Sequence, residues 1–394
     1  MLKTRNLVYN GITVADSRAL LNFTRKILLF GCAFFASWVD GLQNIFDFNV
    51  AKLFPLFAFA LILYWITLEK ASRSPFPRAF NIFMTFVIVQ TVITYGVFHR
   101  DEFTFYQEIV GITQDGFAIT RSDNGLEVAR FFLFAGFGYA AAALLRNRRE
   151  LIAFSLWYAT GLMVSFLLGS HAESTLSFER LTGGYMNPNN LGRAAMVSIF
   201  LCLMTIRFVE VRPWQRGIAI FLLAGSFYAL LSSVSRTPLI AMAVGTLVMI
   251  SLEPLRKKVR FTAAIAAVAL STLMLLPGAT ANSLRERFDP NYMQAQGYGH
   301  RIFITQDYLE QWPSYIVNGM GYSRAVEAVR NSNNIMARLY VPHSAYLSVF
   351  VEFGAPGLFL FLWSIYHIWQ FVNPSRNGRQ RLPADSLIAG FLAA

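Results

Sequence analysis

Gly217-Ile-Ala-Ile-Phe-Leu-Leu-Ala-Gly-Ser-Phe-Tyr-Ala-Leu-Leu-Ser232 contains no charged side chain. A run of this kind reads as a helix inside a bilayer, where about 20 apolar residues cover about 30 Å of hydrocarbon. Comparable runs occur at 24–46, 50–68, 79–98, 126–145, 151–169, 191–209, 237–253, 261–277 and 356–372, which makes ten candidate spans. An eleventh begins at Leu387 and is cut off at Ala394. The expectation is an all-α, polytopic membrane protein of about 11–12 transmembrane helices, ten complete and one truncated in this chain. Basic residues Lys3, Arg5, Arg18, Arg25 and Lys26 lead into the first run, with no small-residue cleavage site. That pattern predicts a retained helix, not a signal peptide.

Composition agrees. The chain has 394 residues, is 55% hydrophobic and carries 37 Phe, and its mean hydropathy is +0.44. Charged residues make up 14%, against roughly 25% in soluble domains. These numbers exclude a soluble enzyme, a disordered tail protein and a nucleic-acid binder. The net charge of +12 is carried by 34 Lys and Arg placed between apolar runs. Cys32 and Cys202 fall in separate apolar runs, so neither a disulfide framework nor a cysteine metal site is available.

Orientation follows from where the charges lie. With the N-terminus in the cytoplasm, the inner segments hold 21 of the basic residues and six of the acidic ones. Net charge is then +15 inside and −3 outside. Inner connections are short, whereas the outer ones at 99–125, 170–190 and 278–342 are long. The last has 65 residues, a length that usually marks function or disorder. Its aromatics, among them Phe303, Tyr308, Trp312, Tyr315 and Tyr322, argue against disorder. Residues 300–312 suit an amphipathic helix closed by Pro313. The organisation expected is a set of nine helices over 1–277, a periplasmic loop and interfacial helix over 278–355 carrying the site, and C-terminal helices over 356–394.

Four places in the chain could carry chemistry on the outer face. In Val341-Pro-His-Ser-Ala-Tyr-Leu-Ser348, Pro342 starts a helix that Gly354 and Pro356 stop. That piece is too short to cross, and a true span begins near Gly357. Ser344, Ser348 and Glu352 share one stripe, and His343 at the first turn is either a general base or merely a cap. In Ser232-Ser-Val-Ser-Arg-Thr-Pro238, a tight turn sets Arg236 at a helix head. Helix N–H groups plus a guanidinium hold phosphate well, and a snorkelling interfacial arginine is the alternative. Arg301 lies on the amphipathic loop helix, where surface placement is the simpler reading. In Asn187-Pro-Asn-Asn-Leu-Gly-Arg193, turn chemistry leads into a helix and leaves Arg193 one turn inside the membrane edge. His99, Asp101 and Glu102, and likewise His171, Glu173 and Glu179, cluster without a recognised metal-ligand spacing. No Gly-rich phosphate loop, serine elbow or cysteine nucleophile is present. One histidine and several outward arginines suit a lipid-borne polyanionic substrate.

These motifs, in this order, resemble the bacterial O-antigen ligase and O-antigen polymerase superfamily. The resemblance rests on Asn187-Pro-Asn-Asn-Leu-Gly, Ser235-Arg236, Gly299-His-Arg301, Asn318-Gly-Met-Gly321, His343-Ser-Ala-Tyr-Leu and Glu352-Phe-Gly-Ala-Pro-Gly, and covers about 180–370. It implies a metal-independent, inverting glycosyltransferase of the multi-span type in the bacterial inner membrane, active on the periplasmic face and needing no cofactor. The donor would be a glycan on undecaprenyl pyrophosphate. The acceptor would be lipid A-core for a ligase, or a second lipid-linked glycan for a polymerase. His343 would match the proposed base, and Arg236 and Arg301 the arginines that hold the pyrophosphate. Arg193 is a further candidate for that contact, with Asn189, Asn190, Ser235, Arg324 and Glu352 in support. A relative that glycosylates a protein hydroxyl is a third possibility. The rival from another class is a transporter or flippase of the same lipid, which should show inverted repeats around a midplane site. No such symmetry is visible in the sequence.

Overall fold

The structure is a computed structural model of the chain and describes residues 14–36, 53–68, 76–98, 108–112, 118–121, 124–168, 173–175, 178–180, 188–207, 211–251, 255–289, 299–330, 332, 342 and 344–372. The helices are α1 (Val14–Ala36), α2 (Leu53–Leu68), α3 (Arg78–Ile93), α4 (Asn124–Leu144), α5 (Arg148–Leu168), α6 (Pro188–Arg207), α7 (Pro213–Ser232), α8 (Arg236–Ser251), α9 (Leu255–Met274), α10 (Gly278–Arg287), α11 (Gly299–Glu310) and α12 (Ala345–Val372). A π-turn, Thr94–Phe98, prolongs α3. The protein is a polytopic helical membrane protein.

The structure refines three expectations. Among the described residues six helices are long and apolar enough to cross a membrane, or seven with one bent pair counted as a crossing, and not ten. Of the other expected spans, α2 and α8 have only 16 residues each, about 24 Å at 1.5 Å rise, α4 contributes the apolar stretch Val128–Leu144, and α9 belongs to the bent pair. Among the described residues the fold is all-helical apart from two short hairpins. Strands β1 (Glu108–Ile112) and β2 (Ala118–Arg121) form one antiparallel ribbon, with a register shift between Ile109 and Gly111. Strands β3 (Glu173–Thr175) and β4 (Phe178–Arg180) form another. Such local pairing satisfies backbone groups in segments that have no helical period. Finally, the first span lies earlier than 24–46. Its apolar window is Ala19–Ala36, which sets Arg25 and Lys26 well inside the helix instead of at its start. Residues 37–46 and the run from Leu387 lie outside the described residues.

Arg25 is tolerated inside α1 because both of its Nη groups are paired, while its buried Nε has no partner among the described residues. Its Nη2 meets Glu150 Oε1 at 2.5 Å and its Nη1 donates to Oε2 at 3.0 Å. Nη2 also reaches Asn22 Oδ1 at 2.8 Å, and Nη1 the Leu144 carbonyl. Glu150 in turn accepts the Arg146 N–H at 3.0 Å. Both charges are buried, with Arg25 1% exposed, and a bidentate guanidinium–carboxylate pair is the geometry that offsets such desolvation.

The chain forms two compact units. The first comprises 1–72, 136–287 and 385–394, the second 73–135 and 288–384. In the first, Leu162 and Phe166 of α5, Leu191, Ile199 and Cys202 of α6, and Leu223, Phe227 and Leu230 of α7 share one buried core. At the α6–α7 contact the hydroxyls of Ser198 and Ser226 meet at 2.7 Å, small polar residues that let two helices approach closely. The expected span 261–277 ends early, at Met274, and α10 leaves at 117° to α9 after Pro277. In the second unit α3 packs on α12, with the Phe83 and Phe361 rings 5.5 Å apart and Ser364 Oγ donating to the Ala79 carbonyl at 3.1 Å. The described residues within 278–342 do carry structure, including α11 where an amphipathic helix is expected over 300–312.

Replacing Glu150 with Ala strands Arg25 in an apolar site. Thermal unfolding of the purified protein in detergent should show a loss of about 3–5 kcal/mol, and the double replacement Arg25→Met, Glu150→Leu should recover most of it.

Candidate functional site

Two of the sequence motifs meet in the first unit. α7 ends at Ser232, and α8 starts four residues later at Arg236. The turn between them is held by its own hydroxyls: Ser233 Oγ donates to the Leu230 carbonyl at 2.7 Å and accepts the Ser235 N–H at 3.3 Å. Val234, at the bend, has φ of 49° and is fully buried. A β-branched residue in the left-handed region is a genuine backbone outlier, and such strain persists only where surrounding packing imposes it. The packing comes from α6. Ser235 Oγ donates to Asn189 Oδ1 at 2.7 Å, and a Cβ at Gly192 would sit 2.9 Å from Ser233 Oγ and 3.0 Å from Pro238 Cγ. The heads of α6 and α8 are thus joined.

Arg236 is half-buried at the first turn of α8 and Asn190 half-buried beside Asn189, whereas Arg193 is exposed on α6. The Ser232 hydroxyl is buried and has no partner among the described residues. A helix head carrying free N–H groups, a guanidinium and a nearby hydroxyl can bind an oxyanion.

The second locus is the interruption of α12. Gly354 has φ of 68° and ψ of −172°, and Pro356 follows. The bend is sharp, because the Tyr346 and Phe361 rings meet at 6.0 Å where a straight helix would separate them by about 22 Å. The break expected at Gly354 and Pro356 is therefore present. Pro356 has no N–H to give the Glu352 carbonyl, and the loop after α11 supplies the missing partners. Gly321 N–H donates to Glu352 O at 2.9 Å, Met320 N–H to Val351 O at 2.8 Å, and Ala355 N–H to Ile316 O at 2.7 Å. Gly319 and Gly321 have φ of 68° and 95°, and a Cβ on Gly319 would lie 2.2 Å from Glu352 O.

This lacing positions the remaining candidates. Ser323, with φ of 61°, turns its N–H onto the Glu352 carboxylate, and Arg324 follows it as a buried residue 7% exposed. From α3, Gln90 Nε2 donates to Glu352 O at 3.2 Å and to the Asn318 carbonyl, and Tyr95 OH donates to the Tyr322 carbonyl at 2.6 Å. Tyr315 OH donates to the Tyr308 carbonyl. Burial pushes the Tyr315 phenol up to about 12 and pushes that of Tyr308 up as well, with the Glu352 carboxylate adding to the latter. Both phenols stay neutral and act as hydrogen-bonding structure.

His343 lies outside the described residues, as do His99, Asp101, Glu102 and His171. Ser344, next to His343, takes the capping position: its Oγ accepts the Leu347 N–H at 3.5 Å, and Ser348 Oγ donates to the Pro342 carbonyl at 3.2 Å. Arg301 belongs to the first turn of α11. Among the described residues no group of three His, Cys, Asp or Glu is placed to hold a metal ion. Sequence reasoning missed Gln90 and Tyr95, which lie in an unremarkable apolar run. The Asn318-Gly-Met-Gly321 pattern pointed to their counterpart, not to them.

Gly319→Ala should cost about 1–2 kcal/mol from left-handed backbone alone, and more from the contact with Glu352 O. Gly278→Ala, where nothing lies within 4 Å, is the comparator and should leave thermal unfolding unchanged.

Residues 218–362 match the family model described as O-antigen ligase. The match starts in α7, ends in α12 and includes Arg236, Arg301, Arg324, His343 and Glu352. The head of α6, with Asn189, Asn190 and Arg193, lies outside it. Comparison with curated proteins finds no match.

Proposed function

We propose that this chain, which carries the domain of the O-antigen ligase superfamily, is a membrane glycosyltransferase that moves a glycan from undecaprenyl pyrophosphate to an acceptor hydroxyl on the periplasmic face of the bacterial inner membrane. The acceptor we favour is a sugar of lipid A-core. The observation behind this reading is the Asn189–Ser235 bond, which braces the turn presenting Arg236 within the family's segment.

In this reading His343 takes the proton of the acceptor hydroxyl as its oxygen attacks the anomeric carbon. The attack comes from the side opposite the pyrophosphate, so the configuration inverts. The bond from the anomeric carbon to the phosphate oxygen breaks, and its electron pair leaves with undecaprenyl pyrophosphate. Arg236 and Arg301 hold that pyrophosphate and meet the charge developing on it. A guanidinium stays charged at every relevant pH, so it does the work that a divalent metal does elsewhere. Arg193, exposed on α6, is assigned a weaker role at the edge of the same headgroup. Asn189, Asn190 and Ser235 position Arg236. Glu352 and Arg324 belong to the braced loop that follows α11.

The deciding experiment offers the purified protein one lipid-linked glycan donor with either lipid A-core or a second lipid-linked unit as acceptor. A ligase elongates the first and a polymerase the second. Movement of the donor between leaflets without bond formation identifies a transporter and overturns the proposal.

In that assay His343→Ala should lower transfer by about 10²–10⁴-fold at unchanged protein level, and full activity would remove the base assignment. Arg236→Lys keeps the charge and loses the bidentate fork. Turnover should fall about tenfold, the equivalent of one charge-assisted hydrogen bond, whereas near-normal turnover would make Arg236 an interface anchor.

A further inference from the structure

α11 has two unlike faces. Ile304 and Tyr308 are buried with Tyr315, Val351 and Phe350, which fastens the helix to the first arm of α12. On the other side Ile302, Phe303 and Leu309 are 55%, 57% and 49% exposed. At 3.6 residues per turn these three fall within one stripe. The chain continues through Trp312 and Val317, also exposed, at 47% and 69%. The polar residues on the stripe, Gln306 and Glu310, bond each other at 2.8 Å. So large an apolar surface on a short stretch outside the crossing helices calls for a partner.

The bend in α12 indicates what that partner is. Tyr346, on the arm that holds α11, reaches Phe361, seven residues beyond Gly354 in the crossing segment. The arm therefore folds back along the span to a level where α12 exposes Phe359 and Leu362, side chains that face lipid in a membrane protein. A helix clamped to that arm is held at the bilayer edge, and its aromatic and aliphatic face has the composition of an interfacial element.

We propose that Ile302, Phe303, Leu309, Trp312 and Val317 insert into the adjacent membrane leaflet, making 299–317 a lipid-docked element. Docking fixes the depth of Arg301, next to Ile302, at the level of the lipid phosphates. The consequence for Arg301 rests on the function proposed above, because the pyrophosphate of a lipid-linked donor sits at that level. The docking itself stands independently of that reading.

The test uses the full chain in liposomes with a nitroxide on a cysteine introduced at Phe303, Val317 or Arg330. Cys32 and Cys202 are fully buried, which leaves the label to the introduced thiol. Labels at 303 and 317 should relax faster with oxygen than with a water-soluble nickel chelate, and the label at 330 the reverse. Nickel access at 303 equal to that at 330 would overturn the proposal. So would shielding of 303 from both relaxants, which would mean that a second copy or other protein covers the face. Ile302→Glu with Phe303→Glu should lower transfer from a long-chain lipid donor in liposomes about tenfold and spare a short-chain soluble donor. Equal loss on both donors would sever Arg301 from the docking. An inactive parent protein would fail the functional reading and leave the depth measurement to decide the docking.

Discussion

A helix broken in or near a membrane must find partners for the backbone groups it releases, because unpaired N–H and C=O groups are costly where water is scarce. At Gly354 and Pro356 the partners are the N–H groups of Met320 and Gly321 and the carbonyl of Ile316. That requirement accounts for much of the second unit. It explains why residues 319 and 321 are glycines, since the approach to Glu352 leaves no room for a Cβ at 319 and both backbones are left-handed. The same exchange brings Ser323 onto the Glu352 carboxylate and seats Gln90 against the break. The short arm of α12, with His343 two residues before its start, is therefore anchored by a loop far away in sequence.

The first unit solves the same problem with side chains. Arg25 is buried in α1 because Glu150 meets it bidentately, and the Ser232–Arg236 turn keeps its strained Val234 because α6 supports it through Asn189. In both cases a costly local feature is held by hydrogen bonds to a neighbouring helix. Rigidity of this kind is what a charged group needs if it is to meet a phosphate at a fixed place.

Much of the candidate site was legible. The helix heads at Arg236 and after Asn187, the amphipathic α11, and the stop at Gly354 and Pro356 all follow from residue types with strong local preferences, so local sequence suffices to find them. The hairpins at 108–121 and 173–180 were not foreseen, because strands of three to five residues carry almost no periodic signal. The first span was placed too late because the basic residues up to Lys26 read as a flank to the apolar run, and nothing near Arg25 announces that Glu150 neutralises it. Gln90 and Tyr95 were invisible for a similar reason: their partners lie more than 220 residues away.

By itself the sequence determined that this is a polytopic helical membrane protein with its unusual polar residues gathered at the ends of helices. Hydrophobic run length and turn chemistry are local properties, and both act through the nearest few residues. Tertiary structure alone decided which of those ends are joined: α6 to α8 through Asn189 and Ser235, and the loop after α11 to the break in α12. It also decided that α12 folds back on itself and carries α11 on its first arm. Those outcomes depend on hydrogen-bond donors and acceptors that find each other only after the helices have packed, and no local pattern encodes that meeting.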